Sequence, residues 1–119
     1  MNKDKYLEKA IAWAEKKATI SLKATPEGYE DPKVFTSKKS KEEVQADLSF
    51  VTHGGAKHFS SIALKEDDPK SLVSKWKLLS FLASMKRGKL HLLAPKGHKA
   101  FTQKIVDRYH INNAVIHSL

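Results

Sequence analysis

Asp47 and Lys65 are the two side chains whose types and placing could do chemistry together. Asp47 interrupts an apolar alternation, between Ala46 and Leu48 with Phe50 just beyond, where strand propensity disfavours aspartate. A half-buried carboxylate needs a partner, and a salt bridge to Lys65 would supply one without any catalysis. Six histidines invite a metal reading: His53, His58, His91, His98, His110 and His117. None form a His-x-x-x-His pair on a helix and no cysteine is present, so a histidine metal site is not expected. The lack of cysteine also excludes disulfides, thiolate sites and cysteine nucleophiles. Gly-x-Ser-x-Gly is missing, which leaves serine hydrolysis without support. Neither Gly-x-Gly-x-x-Gly nor the P-loop pattern occurs, so phosphate binding by a glycine loop is not expected either.

Charge is the second signal. The 22 Lys and Arg outnumber the 13 Asp and Glu, for a net charge of +9, which favours polyanionic partners. Lysines cluster at Lys38, Lys39 and Lys41, again at Lys75 and Lys77 and around Lys86 and Lys89, and at Lys96, Lys99 and Lys104. Such clusters also suit an ordinary solvated face. Only two of the 22 are arginine. Bidentate base reading prefers arginine, so contacts to DNA or RNA would be made to phosphates and would tolerate sequence. Lys38, Lys39, Lys41, Lys75 and Lys77 are the candidates for those contacts.

The elements that must position these residues follow from periodicity. Leu7, Ala10, Ile11, Ala14 and Ala18 recur at helical steps over residues 3–18, and alanine is the best helix former. Residues 19–24 read as a short strand or a helix exit, and 26–32, with two prolines, as a loop. Val34 and Phe35 open a short strand. From Val44 the alternation predicts Val44, Ala46, Leu48 and Phe50 on one face and Gln45, Asp47, Ser49 and Val51 on the other. Gly54-Gly55 supplies the positive φ of a tight turn, and residues 57–65 return as the paired strand. Asp67-Asp68-Pro69 caps a helix over 70–87. Its buried face carries Leu72, Val73, Trp76, Leu79, Leu82 and Ala83, widened by Leu78, Phe81 and Met85. A strand at 89–94, a helix at 97–109 and a strand at 113–117 close the chain. Parallel strands need crossover connections, so this order predicts an α/β domain with a mixed central sheet flanked by helices.

With Asp47 on the first strand of the hairpin, Lys65 ending the second and a helix-strand pair after them, the chain resembles the PD-(D/E)XK nuclease superfamily. That family has a core of helix, three antiparallel strands, helix and strand, and residues 3–94 cover it. Ala46-Asp47 stands where Pro-Asp would be, and Ala63-Leu64-Lys65 where acid-x-Lys would be. The resemblance implies a metal-dependent phosphodiesterase site with Asp47 as a Mg²⁺ ligand and Lys65 steadying the attacking hydroxide. It also implies a degenerate one, because Ala63 replaces the second carboxylate. Among possible replacements, Glu66 points to the opposite face from Lys65. Asp67 and Asp68 suit a helix N-terminus, and Glu42, Glu43, Glu8 and Glu15 read as solvated charges.

The expectation is a single restriction-endonuclease-like domain over 1–119 that binds nucleic acid or acts as an accessory, without efficient hydrolysis. Two alternatives stay open: an active Mg²⁺-dependent nuclease with a relocated acid, and a protein-interaction domain that keeps the fold and binds no nucleic acid. No cofactor is expected, Mg²⁺ entering only if the site is active. A homo-oligomer is compatible with the sequence. The charged N-terminus lacks the apolar stretch of a secretory signal and no apolar run approaches the ~20 residues of a membrane span. A soluble, cytoplasmic protein without membrane contact is expected.

Overall fold

The computed structural model describes residues 3–17, 21–25, 28–36, 41–65 and 67–119 of the chain. Helix α1 (Lys3–Lys17) buries Leu7, Ala10, Ile11 and Ala14 along one face and carries Lys16 and Lys17 in its last turn, where the helix dipole favours cations. The strands are β1 (Ser21–Ala24), β2 (Val34–Thr36), β3 (Glu43–Gln45), β4 (Leu48–Val51), β5 (Lys57–Ile62), β6 (Leu90–Ala94) and β7 (Ala114–Ser118). Helix α2 (Pro69–Met85) links β5 to β6, and α3 (Lys99–Arg108) links β6 to β7.

Five strands form a mixed sheet in the order β1-β4-β5-β6-β7, and β2 pairs with β3 in a separate two-stranded sheet. The β1–β4 and β4–β5 pairs are antiparallel, while β5–β6 and β6–β7 are parallel. A short turn joins the antiparallel β4 and β5, whereas helical crossovers join the parallel pairs β5–β6 and β6–β7. Gly54 and Gly55 both take positive φ in the turn between β4 and β5, as the paired glycines predict. Helix α1 covers one face of the sheet, packing with Leu48, Phe50, Ile62, Leu64 and Leu93. Helices α2 and α3 cover the other, where Leu72, Trp76, Leu79, Ala83 and Ile105 meet Phe59, Ala63, Leu90 and Leu92. Trp76 is fully buried, and its indole N–H donates to Ser61 Oγ at 3.2 Å.

Three expectations need correction. The alternation from Val44 to Phe50 does not hold to one face. The Asp47 amide donates to the Ser60 carbonyl at 3.0 Å, although Ser60 is already registered opposite Leu48. Two residues facing one make a β-bulge, and a one-residue offset turns every later side chain over. Val44 and Ala46 therefore join the α2 side while Leu48 and Phe50 join the α1 side. Phe81 and Met85 do not widen the buried face of α2, being 60% and 62% exposed. Strand β5 also ends at Ile62, which leaves Lys65 exposed in the turn beyond it.

The end of α2 decides what lies beside β5. Arg87 takes φ 62, its amide bonds back to the Ser84 carbonyl, and the Gly88 amide reaches the Ala83 carbonyl at 2.8 Å. This paired closure ends the helix. Gly88 then runs against β5 so closely that a Cβ there would lie 1.8 Å from the Lys57 carbonyl oxygen. Only glycine fits, and the approach sets Lys86 beside Lys57, whose amide donates to the Lys86 carbonyl at 3.2 Å.

Candidate functional site

Asp47 is buried at the bulge, and its Oδ2 accepts the Ile62 amide at 2.8 Å. The ladder between β4 and β5 stops at Leu48, so the carboxylate stands in for the strand carbonyl that Ile62 would otherwise meet. Ala63 is fully buried in the apolar cluster beneath α2, and its amide donates to the Leu93 carbonyl. Lys65 contributes its backbone amide to Nδ1 of the buried His98 at 3.0 Å. Asp68 serves the start of α2, where its Oδ2 accepts the Ser71 hydroxyl at 3.1 Å. Glu42, Glu43, Glu8 and Glu15 are exposed, and Glu66 lies outside the described residues. Among the described residues, no group of three or more His, Asp or Glu is placed to hold a metal ion. A Mg²⁺ site at Asp47 does not fit this arrangement, because one oxygen is committed to the Ile62 amide and, among the described residues, no group of acids or histidines gathers around it.

A basic pocket forms where β2, β5 and the end of α2 converge. Lys33, Phe35, Lys57, Phe59, Leu82, Met85 and Lys86 line a cavity of 210 Å³. The Phe35 and Phe59 rings meet edge to face at 5.7 Å, the arrangement their quadrupoles favour. Lys33 Nζ lies 5.5 Å from the Phe35 ring and Lys57 Nζ 5.5 Å from the Phe59 ring, close enough for cation–π attraction. Burial lowers the Lys57 pKa below the usual lysine range, and the nearby charges of Lys23, Lys33 and Lys86 lower it further. Lys23 is paired with Glu30 at 3.6 Å. No protein-family model, curated protein or solved structure matches this chain. Function is therefore read from the chemistry of the pocket and its surroundings.

The lysines singled out from sequence are placed differently. Lys38 and Lys39 lie outside the described residues, and Lys41 is exposed just before β3. Lys75 is half-buried and Lys77 exposed on α2, and residues two apart on a helix point to different sides. The pocket lysines Lys33, just before β2, and Lys57, at the start of β5, went unnoticed in the sequence because they lie far apart in the chain. A groove of 830 Å³ runs along α1 between Glu8, Glu15 and Tyr29. Its two carboxylates make it a poor seat for phosphate.

Three of the histidines that look scattered in sequence come together on the α1 side of the sheet, one each from β5, β6 and β7. His58 Nδ1 lies 3.1 Å from His91 Nε2, and His91 Nδ1 lies 2.9 Å from His117 Nε2. The Lys89 amide can only donate, and it reaches His58 Nδ1 at 3.1 Å, so that nitrogen carries no hydrogen in the neutral ring. The rest of the chain follows: His117 Nε2–H donates to His91 Nδ1, His91 Nε2–H to His58 Nδ1, and His58 Nε2–H points to Thr52 Oγ1 at 3.5 Å. Trp13 covers the rings of His91 and His117 at 5.3 and 4.9 Å, and Phe50 stacks on His58 at 5.0 Å. Burial lowers all three pKa values; for His91, helped by His117, His58, Lys17 and Lys89, the value falls to about 3. His91 turns opposite nitrogens to its two neighbours, so the trio cannot converge on one metal ion.

Proposed function

We propose that this domain binds nucleic acid through phosphate contacts on a restriction-endonuclease-like scaffold and does not hydrolyse it efficiently. The observation that carries the reading is the pocket of Lys33, Lys57 and Lys86, in which the charges of Lys23, Lys33 and Lys86 press on the Lys57 ammonium. Cations gathered against like charge are stabilised by an anion that bridges them, and a polyphosphate backbone is such an anion. The scaffold reading is supported by the order of α1, antiparallel β1, β4 and β5, then α2 and parallel β6. The absence of efficient hydrolysis is supported by the use of Asp47 as a backbone cap and by the burial of Ala63. Among the described residues no helix is long and apolar enough to cross a membrane.

Fluorescence-anisotropy titration of labelled oligonucleotides tests this directly. Affinity should fall steeply with salt, with a log–log slope of about −0.9 per phosphate neutralised on duplex DNA. Lys33→Gln with Lys86→Gln should weaken binding about equally for unrelated sequences. An absence of binding at low salt sinks the proposal and leaves the protein-interaction reading. Mg²⁺- or Mn²⁺-stimulated cleavage that disappears in Asp47→Ala and in Lys65→Ala revives the relocated-acid nuclease.

A further inference from the structure

We infer that the Lys33–Lys57–Lys86 pocket seats one unstacked nucleotide of a single strand, its phosphate among the lysines and its base against the wall of Phe35, Leu82 and Met85. The inference rests on the nucleic-acid reading above and names the form of nucleic acid that the pocket selects. Size limits what the pocket can hold. At 210 Å³ the cavity falls below the ~300–1,000 Å³ of pockets that enclose drug-sized ligands. A cavity of that size takes no more than one nucleotide.

The pocket also mixes two kinds of surface. A pocket meant only for backbone phosphate needs cations and backbone amides, yet here apolar side chains line the cavity beside the lysines. Phe35 and Leu82 are half-buried, and Met85, in the last turn of α2, is 62% exposed. A methionine thioether is polarizable and adapts its shape to an aromatic partner, and base stacking on such walls is tolerant of sequence. Phe35 is also held in place, locked edge to face on the buried Phe59, so little ordering has to accompany binding.

A duplex offers such a pocket less than a single strand does. Its bases are stacked inward, and extruding one carries an unstacking penalty that a single strand avoids. A duplex meets the lysines with phosphate alone and leaves the apolar wall in water, whereas a single strand covers both.

The test uses the full chain and three labelled probes at one low salt concentration: a 12-nucleotide oligothymidylate, an abasic strand of the same length, and a 12-base-pair duplex. The oligothymidylate should bind about tenfold tighter than the abasic strand. Met85→Ala, at an exposed position, should reduce oligothymidylate affinity about fivefold and leave abasic binding unchanged, while Lys86→Gln should weaken both by the same factor. Equal affinities for the oligothymidylate and abasic strands overturn the inference, as does a Met85→Ala effect of equal size on both. In either case the nucleic-acid reading survives. Failure of all three probes to bind removes that reading and the inference with it.

Discussion

Acid should weaken this fold through His91, and the size of the effect follows from its surroundings. His91 sits between His58 and His117 beneath Trp13 and keeps its pKa near 3, against about 6.5 in an unfolded chain. The folded value lies below the unfolded one, so the unfolded chain takes up its proton first as pH falls. The contribution of the neutral ring is fully present above pH 6.5, drains away between 6.5 and about 3, and is constant below that. Each pH unit in that window is worth at most about 1.4 kcal/mol per proton, a ceiling near 5 kcal/mol across it. His91 is only part-buried, and solvent screening of a ring in that position reduces the figure to about 2 kcal/mol. Urea unfolding followed by tryptophan fluorescence at pH 7, 6, 5 and 4.5 should therefore show stability falling with acid. In His91→Leu, whose side chain suits the space under Trp13, the slope should be shallower by up to one proton per molecule. Carboxylates contribute equally to both proteins and cancel in the difference. Identical slopes for the two proteins below pH 6.5 would refute the reasoning, because His91 would then titrate alike in both states.

Other perturbations follow from contacts already described. Trp76→Ala removes a fully buried indole and its bond to Ser61, and should cost about 3–5 kcal/mol in denaturant unfolding; an unchanged midpoint would mean that α2 is misplaced. Gly88→Ala forces a methyl group onto the Lys57 carbonyl, and should lower stability by at least ~2 kcal/mol and blunt nucleic-acid binding by displacing Lys86 from Lys57. Asp47→Ala strands the Ile62 amide and should destabilise by about 1–3 kcal/mol. Asp47→Asn keeps a carbonyl acceptor and should lose less than half of that, a comparison that thermal melts of the two variants settle.

Much of the architecture was legible because burial leaves a period in the sequence. Leu72, Trp76, Leu79 and Ala83 recur at helical steps, and all four are buried on α2; Gly54-Gly55 marks the β4–β5 turn because positive φ at both positions suits few other residues. The bulge was invisible for a physical reason. Both faces of the sheet are covered by helices, so a strand that turns over still meets apolar neighbours, and the alternation from Val44 to Phe50 continues unbroken through the offset. Asp47 alone marks its place in the sequence, and its carboxylate accepts the Ile62 amide. The histidine chain could not be seen by local spacing, since its members are 33 and 26 residues apart. The one clue was that His91 and His117 each interrupt a terminal apolar strand. The basic pocket is similarly non-local, assembled from β2, β5 and the end of α2.

The bulge at Asp47 also separates the parts of this chain that can change independently. Strand β1 leaves the sheet at Ala24, and β4 rejoins it at Leu48, which is paired directly with Ala24. The described residues between form an excursion from a ladder that closes behind it, and that excursion supplies Lys33 and Phe35, one side of the pocket. The other side, Lys57 and Lys86, belongs to the sheet and α2. A chain that exchanged this excursion for another could acquire a different binding preference while every register in the five-stranded sheet stayed as it is. The replacement would have two structural duties: an apolar patch in place of Val44 and Ala46, which now pack with Phe59, and an acceptor for the Ile62 amide in place of Asp47. The sheet and its helices form a chassis, and the span between Ala24 and Leu48 is a fitting that selection or an engineer could swap.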